Sequence, residues 1–512
     1  MPIYPLTAGV SQLILSRSIR QGLDACADIL PDVLPDRVRQ HHQLCRIEYA
    51  YENIHFPESA EALDLARRRL AFEELFLFTI GLERLRSRRE VVHVPPCGGV
   101  DMELFYRALP FTLTDAQRRC VEEALADMRS GTPMNRLCQG DVGSGKTMVA
   151  AACVYFMVKN GRQAALMAPT EILAQQHYQG LAPLLENLGI RCALLTGSTT
   201  AKTKRSITQQ LESGEIDFAI GTHALITGSV AYRDLGLVVT DEQHRFGVAQ
   251  RAELAAKGDH PHILVMSATP IPRTLALILY GDLDVSIIDQ LPPGRQPVQT
   301  FAVTGGYHQR VYRFIRKLVG EGRQAYIVCP MVEENDQLPD ERKAVTEYAK
   351  KLQSEVFPDL KVAFVHGKMK PKEKDAVMAA FAAHETDILV STTVIEVGVD
   401  VPNAAVIVIE NAERFGLSQL HQLRGRVGRG KHQSYCILIS DNRNEETRQR
   451  LKVMTKTTDG FQIAEEDLRL RGPGDFFGAR QHGLPGLKVA DLGCDTQLLQ
   501  EARQAAEQLL AQ

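Results

Sequence analysis

The stretch RLCQGDVGSGKTMVAAA, residues 136–152, reads as a strand, a glycine-rich turn and a helix in that order. Gly140, Gly145, Lys146 and Thr147 fill the pattern GxxxxGK[ST], with Asp141, Gly143 and Ser144 inside the turn. Each residue type has a physical use. Glycines let backbone N–H groups close around phosphate oxygens, and the helix N-terminus adds its positive end. Lys146 is placed to reach the β- and γ-phosphates, and Thr147 to hold Mg²⁺. The flanking strand and helix make the pattern specific, since the same letters elsewhere are only a glycine-rich turn. The reading is an ATP site at the edge of a parallel sheet.

Working outward, short apolar runs alternate with helical patterns: RLCQG, AALMAPT, CALLTG, FAIGT, LGLVVTDE and HILVMSATP. Strands alternating with helices predict a parallel sheet covered on both faces. The texture restarts after QLPPGRQP (290–297) with AYIVCP, VAFVHG, DILVST, AVIVIE and SYCILIS. The fold class is therefore α/β, with two lobes joined by a Pro/Gly linker. Residues 1–108 look helical and polar, and the run 59–90 carries apolar residues at helical spacing. The expected domains are 1–108, 109–293, 294–445 and 446–512.

LVVTDEQHRF (237–246) drives a buried strand into a cluster of charge. In P-loop ATPases a neighbouring strand delivers an acid beside the phosphates, and a second acid can polarise the attacking water. Asp241 suits the metal and Glu242 the water. Gln243 and His244 have no place in that chemistry alone and are read as a link from the γ-phosphate to the rest of the machine.

Bulk properties exclude other classes. The chain has 512 residues, 44% of them hydrophobic, enough for several cores. Ten cysteines lie singly, with neither a CxxC pair nor metal-ligand spacing, which fits a reducing cytoplasm. No long apolar run and no signal sequence point to a membrane or to secretion. The net charge of −3 is neutral on nucleic acid, because phosphate binding needs a local basic surface rather than a basic average.

These motifs resemble those of superfamily 2 helicases. FTLTDAQ (111–117) is similar to the adenine-reading Gln motif, with Phe111 and Gln117 at the base; GDVGSGKT and DEQH are the two Walker elements; SATPIPRT (267–274) and HQLRGRVGRG (421–430) complete the set. The resemblance implies two tandem RecA-like lobes with ATP and Mg²⁺ in the cleft between them. Thr147 and Asp241 would hold the metal, and Gly398 and Asp400, in TTVIEVGVDVP, would add nucleotide contacts. Arg426 and Arg429 would be arginine fingers, whose planar donors suit the charge that spreads over a transferring phosphoryl group.

The match narrows to the RecG branch-migrating DNA helicases through APTEILAQQH, LLTGS, GTHAL, DEQHRFGVAQR, SATPIPRTL and QLPPGR. TTDGFQIAEEDLRLRGPGDFFGARQHG (457–483) resembles the translocation motif shared by RecG and the transcription-repair coupling factor, a helical hairpin and loop in which Arg450, Arg471 and Gln481 match the coupling residues. Read from composition alone, 471–483 is a Gly-rich ordered loop. The family's N-terminal wedge, an OB-fold that engages the branch point, is expected to be missing, since the chain opens on MPIYPLTAGV, which resembles the segment just after that fold.

Implied DNA or coupling positions are Pro169, Thr170, Thr196, Gly197, Thr222, His223, Ser267, Thr269, His366, Gly367 and Thr392, besides Gln243 and His244. Small hydroxyls and backbone N–H groups at strand ends grip phosphates without reading bases, which suits a motor indifferent to sequence. The expected function is an ATP-driven duplex DNA translocase acting on branched DNA in recombination and repair, monomeric, cytoplasmic and nucleoid-associated, with single-strand DNA-binding protein as a partner and no membrane contact. Alternatives are a transcription-coupled translocase, an RNA unwinder, and a core that holds ATP or DNA without remodelling it.

Overall fold

The computed structural model describes residues 4, 10–26, 29–87, 92–241, 248–270, 283–292, 296–330, 347–367, 369–392, 401–430, 432–476, 487–491 and 495–510. The first lobe is built on seven strands: β1 (Asn135–Gly140), β2 (Gln163–Met167), β3 (Cys192–Leu195), β4 (Phe218–Gly221), β5 (Leu235–Thr240), β6 (His262–Ser267) and β7 (Asp284–Ile288). They lie in the order β3-β4-β2-β5-β6-β1-β7, and every ladder is parallel. A parallel sheet is covered on both faces, so its central strands are apolar without alternation. All residues of β2 and β5 are buried accordingly. The alanine-rich helix Lys146–Lys159 lies wholly in the core over Val149–Met157, because small side chains let it sit close to the sheet.

The second lobe holds β8 (Gln299–Val303), β9 (Gln324–Val328), β10 (Val362–Val365), β11 (Ile388–Ser391), β12 (Ala404–Ile409) and β13 (Tyr435–Ile439). Their order is β10-β11-β9-β12-β13-β8, again all parallel. Both lobes have the expected α/β architecture. Two strands, β7 and β8, were not among the apolar runs in the sequence. Both are sheet edges, and DVSII and QTFAV stay half open to solvent, so neither needs a continuous hydrophobic run.

Strand order fixes which chemistry sits where. In lobe 1 the loops leaving β3, β4 and β2 carry Thr196–Gly197, Thr222–His223 and Pro169–Thr170, whereas those leaving β5, β6 and β1 carry Asp241, Thr269 and the phosphate loop. One half of the sheet edge carries the phosphate loop and Asp241, with Ser267 and Thr269 between them, and the other half carries the remaining implied DNA positions of this lobe.

The helical parts make a separate compact unit from residues 1–90 and 468–512, while the two lobes belong to a unit within 91–467. In the first unit the helix Ala60–Ser87 packs on Ile47–His55 and Thr496–Leu510. Arg67 grips Asp495 with two bonds of 3.1 and 2.9 Å, and Glu74 accepts the backbone N–H groups of Lys488, Val489 and Ala490 at 2.8–2.9 Å. Arg69, fully buried, is paired with Asp32 and Glu73. The helix Gly460–Phe476 runs through Arg471–Phe476, which composition placed in a loop. Glycine and proline disfavour helix, yet elongation from a turn already anchored by buried Ile463, Ala464 and Leu468 needs no new nucleus.

Candidate active site

The phosphate loop leaves β1 at Gly140 and enters its helix at Gly145. Gly145 lies in the left-handed region at φ +80°, and a Cβ there would stand 2.2 Å from Gln117 Nε2. Gln117 makes that crowding useful. Its backbone N–H and side-chain oxygen close a reciprocal cap with Thr114, and its amide nitrogen donates to the Ser144 carbonyl at 2.8 Å. The Gln motif thus fastens the phosphate loop directly, in addition to the base contact the sequence assigned to it. Phe111 is 47% exposed and borders a cavity of about 380 Å³ lined also by Tyr106, Arg107, Leu113 and Arg118. Lys146 is buried, and its ammonium donates to the carbonyls of Gly140 and Asp141, both at 2.8 Å. Thr147, half-buried, follows it in the first turn.

Asp241 emerges from β5 one strand away from β1, with β6 between them: Thr240 pairs with Val265, and Ser267 with Gln139. Its Oδ2 lies 2.7 Å from His177 Nε2, on the helix Glu171–Glu186. His177 stands at the end of APTEILAQQH and was not singled out by the sequence. The N-cap of the same helix is Thr170, so one element joins an implied DNA position to Asp241, the carboxylate expected from the sequence to hold the metal. Thr147 and Asp241 are hard oxygen donors of the kind Mg²⁺ takes alongside phosphate oxygens, so the residues present fit that ion.

Lobe 2 reaches this site through the helix Leu417–Arg424. Gln422 donates to the Thr269 hydroxyl at 3.0 Å, while Gln139 donates to the Thr269 carbonyl at 3.1 Å and Ser267 Oγ accepts the Thr269 N–H at 3.3 Å. His421 Nε2 lies 2.6 Å from Asp141 Oδ1, and a Cβ on Gly425 would stand 3.0 Å from Val142 Cβ. Burial works to raise the Asp141 carboxyl, but the bonds from His421 and from the Val142 N–H outweigh it and hold the group below the usual carboxylate range. Arg426 is buried, and Arg429 is half-buried with its Nε on the Gly425 carbonyl at 3.2 Å. Arg424, absent from the sequence-based set, lies among Met454, Thr457 and His421. Arg450 donates to the carbonyls of Phe415 and Glu413 at 3.3 and 3.2 Å, which ties the helix Glu445–Lys456 to the turn before Leu417.

The implied DNA positions differ in access. Gly197, His223 and Gly367 are exposed, Pro169, Thr170 and His366 half-buried, and Thr196, Thr222 and Thr392 buried. The Thr222 and Thr392 hydroxyls have no hydrogen-bond partner among the described residues. Glu242, Gln243, His244, Gly398, Asp400 and Gln481 lie outside the described residues, as does the side chain of Arg471.

Two parallel-sheet lobes, a phosphate loop capped by a glutamine, and a second-lobe helix seated on that loop define a helicase motor core. The comparisons agree. Residues 114–278 match the DEAD/DEAH box helicase model, 308–431 the helicase conserved C-terminal domain, and 457–512 the C-terminal part of domain 3 of the ATP-dependent DNA helicase RecG. The chain is 51% identical to the ATP-dependent DNA helicase RecG of Synechocystis sp., 48% to that of Bacillus subtilis and 49% to that of Thermotoga maritima. These alignments take in 99–100% of this chain but only 62%, 75% and 65% of the respective relatives. A solved RecG bound to a three-way DNA junction superposes with a TM-score of 0.75 at 47% identity, over 97% of this chain and 66% of that one. The chain belongs to the RecG family of ATP-dependent DNA helicases. Among the described residues, no helix is long and apolar enough to cross a membrane.

Proposed function

We propose that this chain is an ATP-driven translocase of double-stranded DNA that remodels branched substrates, such as forks and four-way junctions, in recombination and repair. The observation that carries the reading is the seat of the Leu417–Arg424 helix on the phosphate loop, with the RecG-type element from 457 onward starting beside it. A motor needs that arrangement, since the energy of phosphoryl transfer is used only if the nucleotide loop touches a part that moves. Lys146 would leave the Gly140 and Asp141 carbonyls for the β/γ phosphates. Glu242 would orient and deprotonate the attacking water, and Arg426 and Arg429 would stabilise the charge of the transferring group. Bound Mg²⁺, held by Thr147 and Asp241, would supply positive charge at the phosphates. The strand-end groups from Pro169 to Thr392 would hold DNA phosphates, the buried threonines through their backbone and the exposed positions directly. Arg450, Arg471 and Gln481 would couple lobe movement to stepping. We also read the protein as a cytoplasmic monomer that meets single-strand DNA-binding protein at forks.

The test is phosphate release with a forked DNA, a linear duplex and an RNA of equal length, for the wild type and Lys146→Ala. Stimulation by both DNAs and not by RNA, abolished in the variant, is the expected result. Equal stimulation by RNA would point to an RNA unwinder. Nucleotide binding without DNA-dependent turnover would leave only a binding core.

A further inference from the structure

The His421 imidazole lies where three pieces of the motor meet. On one side is Asp141 of the phosphate loop, 2.6 Å from Nε2. On the other is Arg424, whose Nη2 is 3.0 Å from Nδ1. The Nη1 of the same guanidinium donates to the carbonyls of Met454 and Thr457, both at 2.9 Å. Those carbonyls close the helix Glu445–Lys456, and Thr457 is the first residue of the segment that matches the RecG C-terminal domain. Against the imidazole edge sits Gly460, the first residue of the next helix, where a Cβ would stand 2.5 Å from both His421 Nε2 and Pro270 Cγ.

The chemistry fixes how the chain of bonds is polarised. A guanidinium has donors only, so Arg424 donates and Nδ1 must be the lone-pair nitrogen. The ring proton is then on Nε2, which donates to the Asp141 carboxylate. All three side chains are buried or nearly so, with His421 at 5% and Arg424 at 2% exposure. In such a setting each bond to a charged partner is short, directional and costly to leave unmade.

We propose that His421 is a positioning residue that transmits the state of the phosphate loop to the translocation element, through the path Asp141, His421, Arg424 and the carbonyls of Met454 and Thr457. Asp141 is suited to start it because one residue serves both ends: its carbonyl holds the Lys146 ammonium and its carboxylate holds the imidazole. When Lys146 turns to phosphate oxygens, the Asp141 backbone loses that partner, and the carboxylate carries the change to His421. The imidazole is the only link in the path with a lone pair on one side and a proton on the other, so it passes orientation as well as position. This rests on the translocase reading above, but only for the use to which the movement is put.

The experiment uses the full chain and two substitutions that differ by one methylene. In His421→Asn the side-chain oxygen falls near the place of Nδ1 and keeps Arg424, while nothing reaches Asp141. In His421→Gln the amide nitrogen falls near the place of Nε2 and restores the donor. Hydrogen exchange of the amides in 457–467 is measured with and without ADP·Mg²⁺, together with ADP affinity and base pairs moved per ATP consumed. In the wild type ADP should change exchange in that segment by about fivefold or more, the lower range of ordinary coupling between sites. His421→Asn should lose this response while binding ADP within about twofold of wild type, a shift well below one tenfold step of affinity. His421→Gln should keep most of the response, and pairs moved per ATP should follow the same ranking. A response in His421→Asn equal to wild type, or a His421→Gln as silent as His421→Asn, overturns the relay. A wild type in which ADP leaves 457–467 unchanged overturns it as well. A wild type that responds to ADP but moves no DNA sinks the translocase reading and leaves the relay standing.

Discussion

At position 145 a left-handed backbone and a crowded neighbour act together. Only glycine takes φ +80° without strain, and only glycine leaves room for Gln117 Nε2 at its back. Gly145→Ala should therefore destabilise the fold by about 1–3 kcal/mol through the backbone alone, and should also push the Gln117 amide off the Ser144 carbonyl. Chemical denaturation and a fluorescent-ADP titration read the two effects separately, and normal ADP affinity would show that the Gln117 fastening is dispensable. Glu242→Gln is expected to behave differently. It should bind ATP normally while hydrolysis falls by about two orders of magnitude or more, the range for a positioned base; equal losses of binding and turnover would remove Glu242 from that role. The loop residues were legible in sequence because GxxxxGK[ST] is contiguous. His177, Gln139, the bond from Arg424 to Met454 and the link from His421 to Asp141 were not, because the partners are 64, 130, 30 and 280 positions away and meet only in the folded chain.

At the scale of elements, β6 lies between the strand of the phosphate loop and the strand of Asp241, so its stability sets their spacing. It opens on His262, fully buried, whose Nδ1 accepts the Met134 N–H at 2.9 Å. Burial pushes its pKa down to about 4. The folded value is lowered, so this group behaves opposite to a histidine that gains an acidic partner. The native imidazole is neutral, and the unfolded one takes a proton below about 6.5. Stability from this site is complete above that pH and is lost as pH falls toward 4, up to about 3 kcal/mol by linkage at 1.36 kcal/mol per unit. Urea unfolding at pH 7.5 and 4.5 should show a smaller loss on acidification for His262→Phe than for the wild type. Equal losses would mean that the ring is protonated in place. Central strands such as β5 were readable as unbroken apolar runs, whereas the edges β7 and β8 were not, since one solvated face leaves too weak a signal in five residues.

For the whole molecule the question is what tells a branch from a plain duplex. The strand-end positions of the two lobes are mostly hydroxyls, glycines and backbone groups, with Pro169, His223 and His366 among them, suited to phosphates, and contacts to phosphates are blind to structure. Selection of a junction needs a surface shaped to it. The RecG solved on a three-way DNA junction matches this chain over 66% of its own length. Within the 512 residues, every position assigned to DNA belongs to the lobes or to the coupling element. Because these positions hold phosphates, which both DNAs carry, we expect them to bind a three-strand fork and a linear duplex of equal length with similar affinity. Affinity for both should fall in parallel between about 50 and 200 mM salt, because the same phosphates are held in each case. A titration of both DNAs at those two salt concentrations decides it. A preference for the fork above about tenfold, or roughly 1.4 kcal/mol, would mean that the lobes and the coupling element read the junction themselves. A preference that survives high salt would say further that they do so by shaped contact rather than by charge.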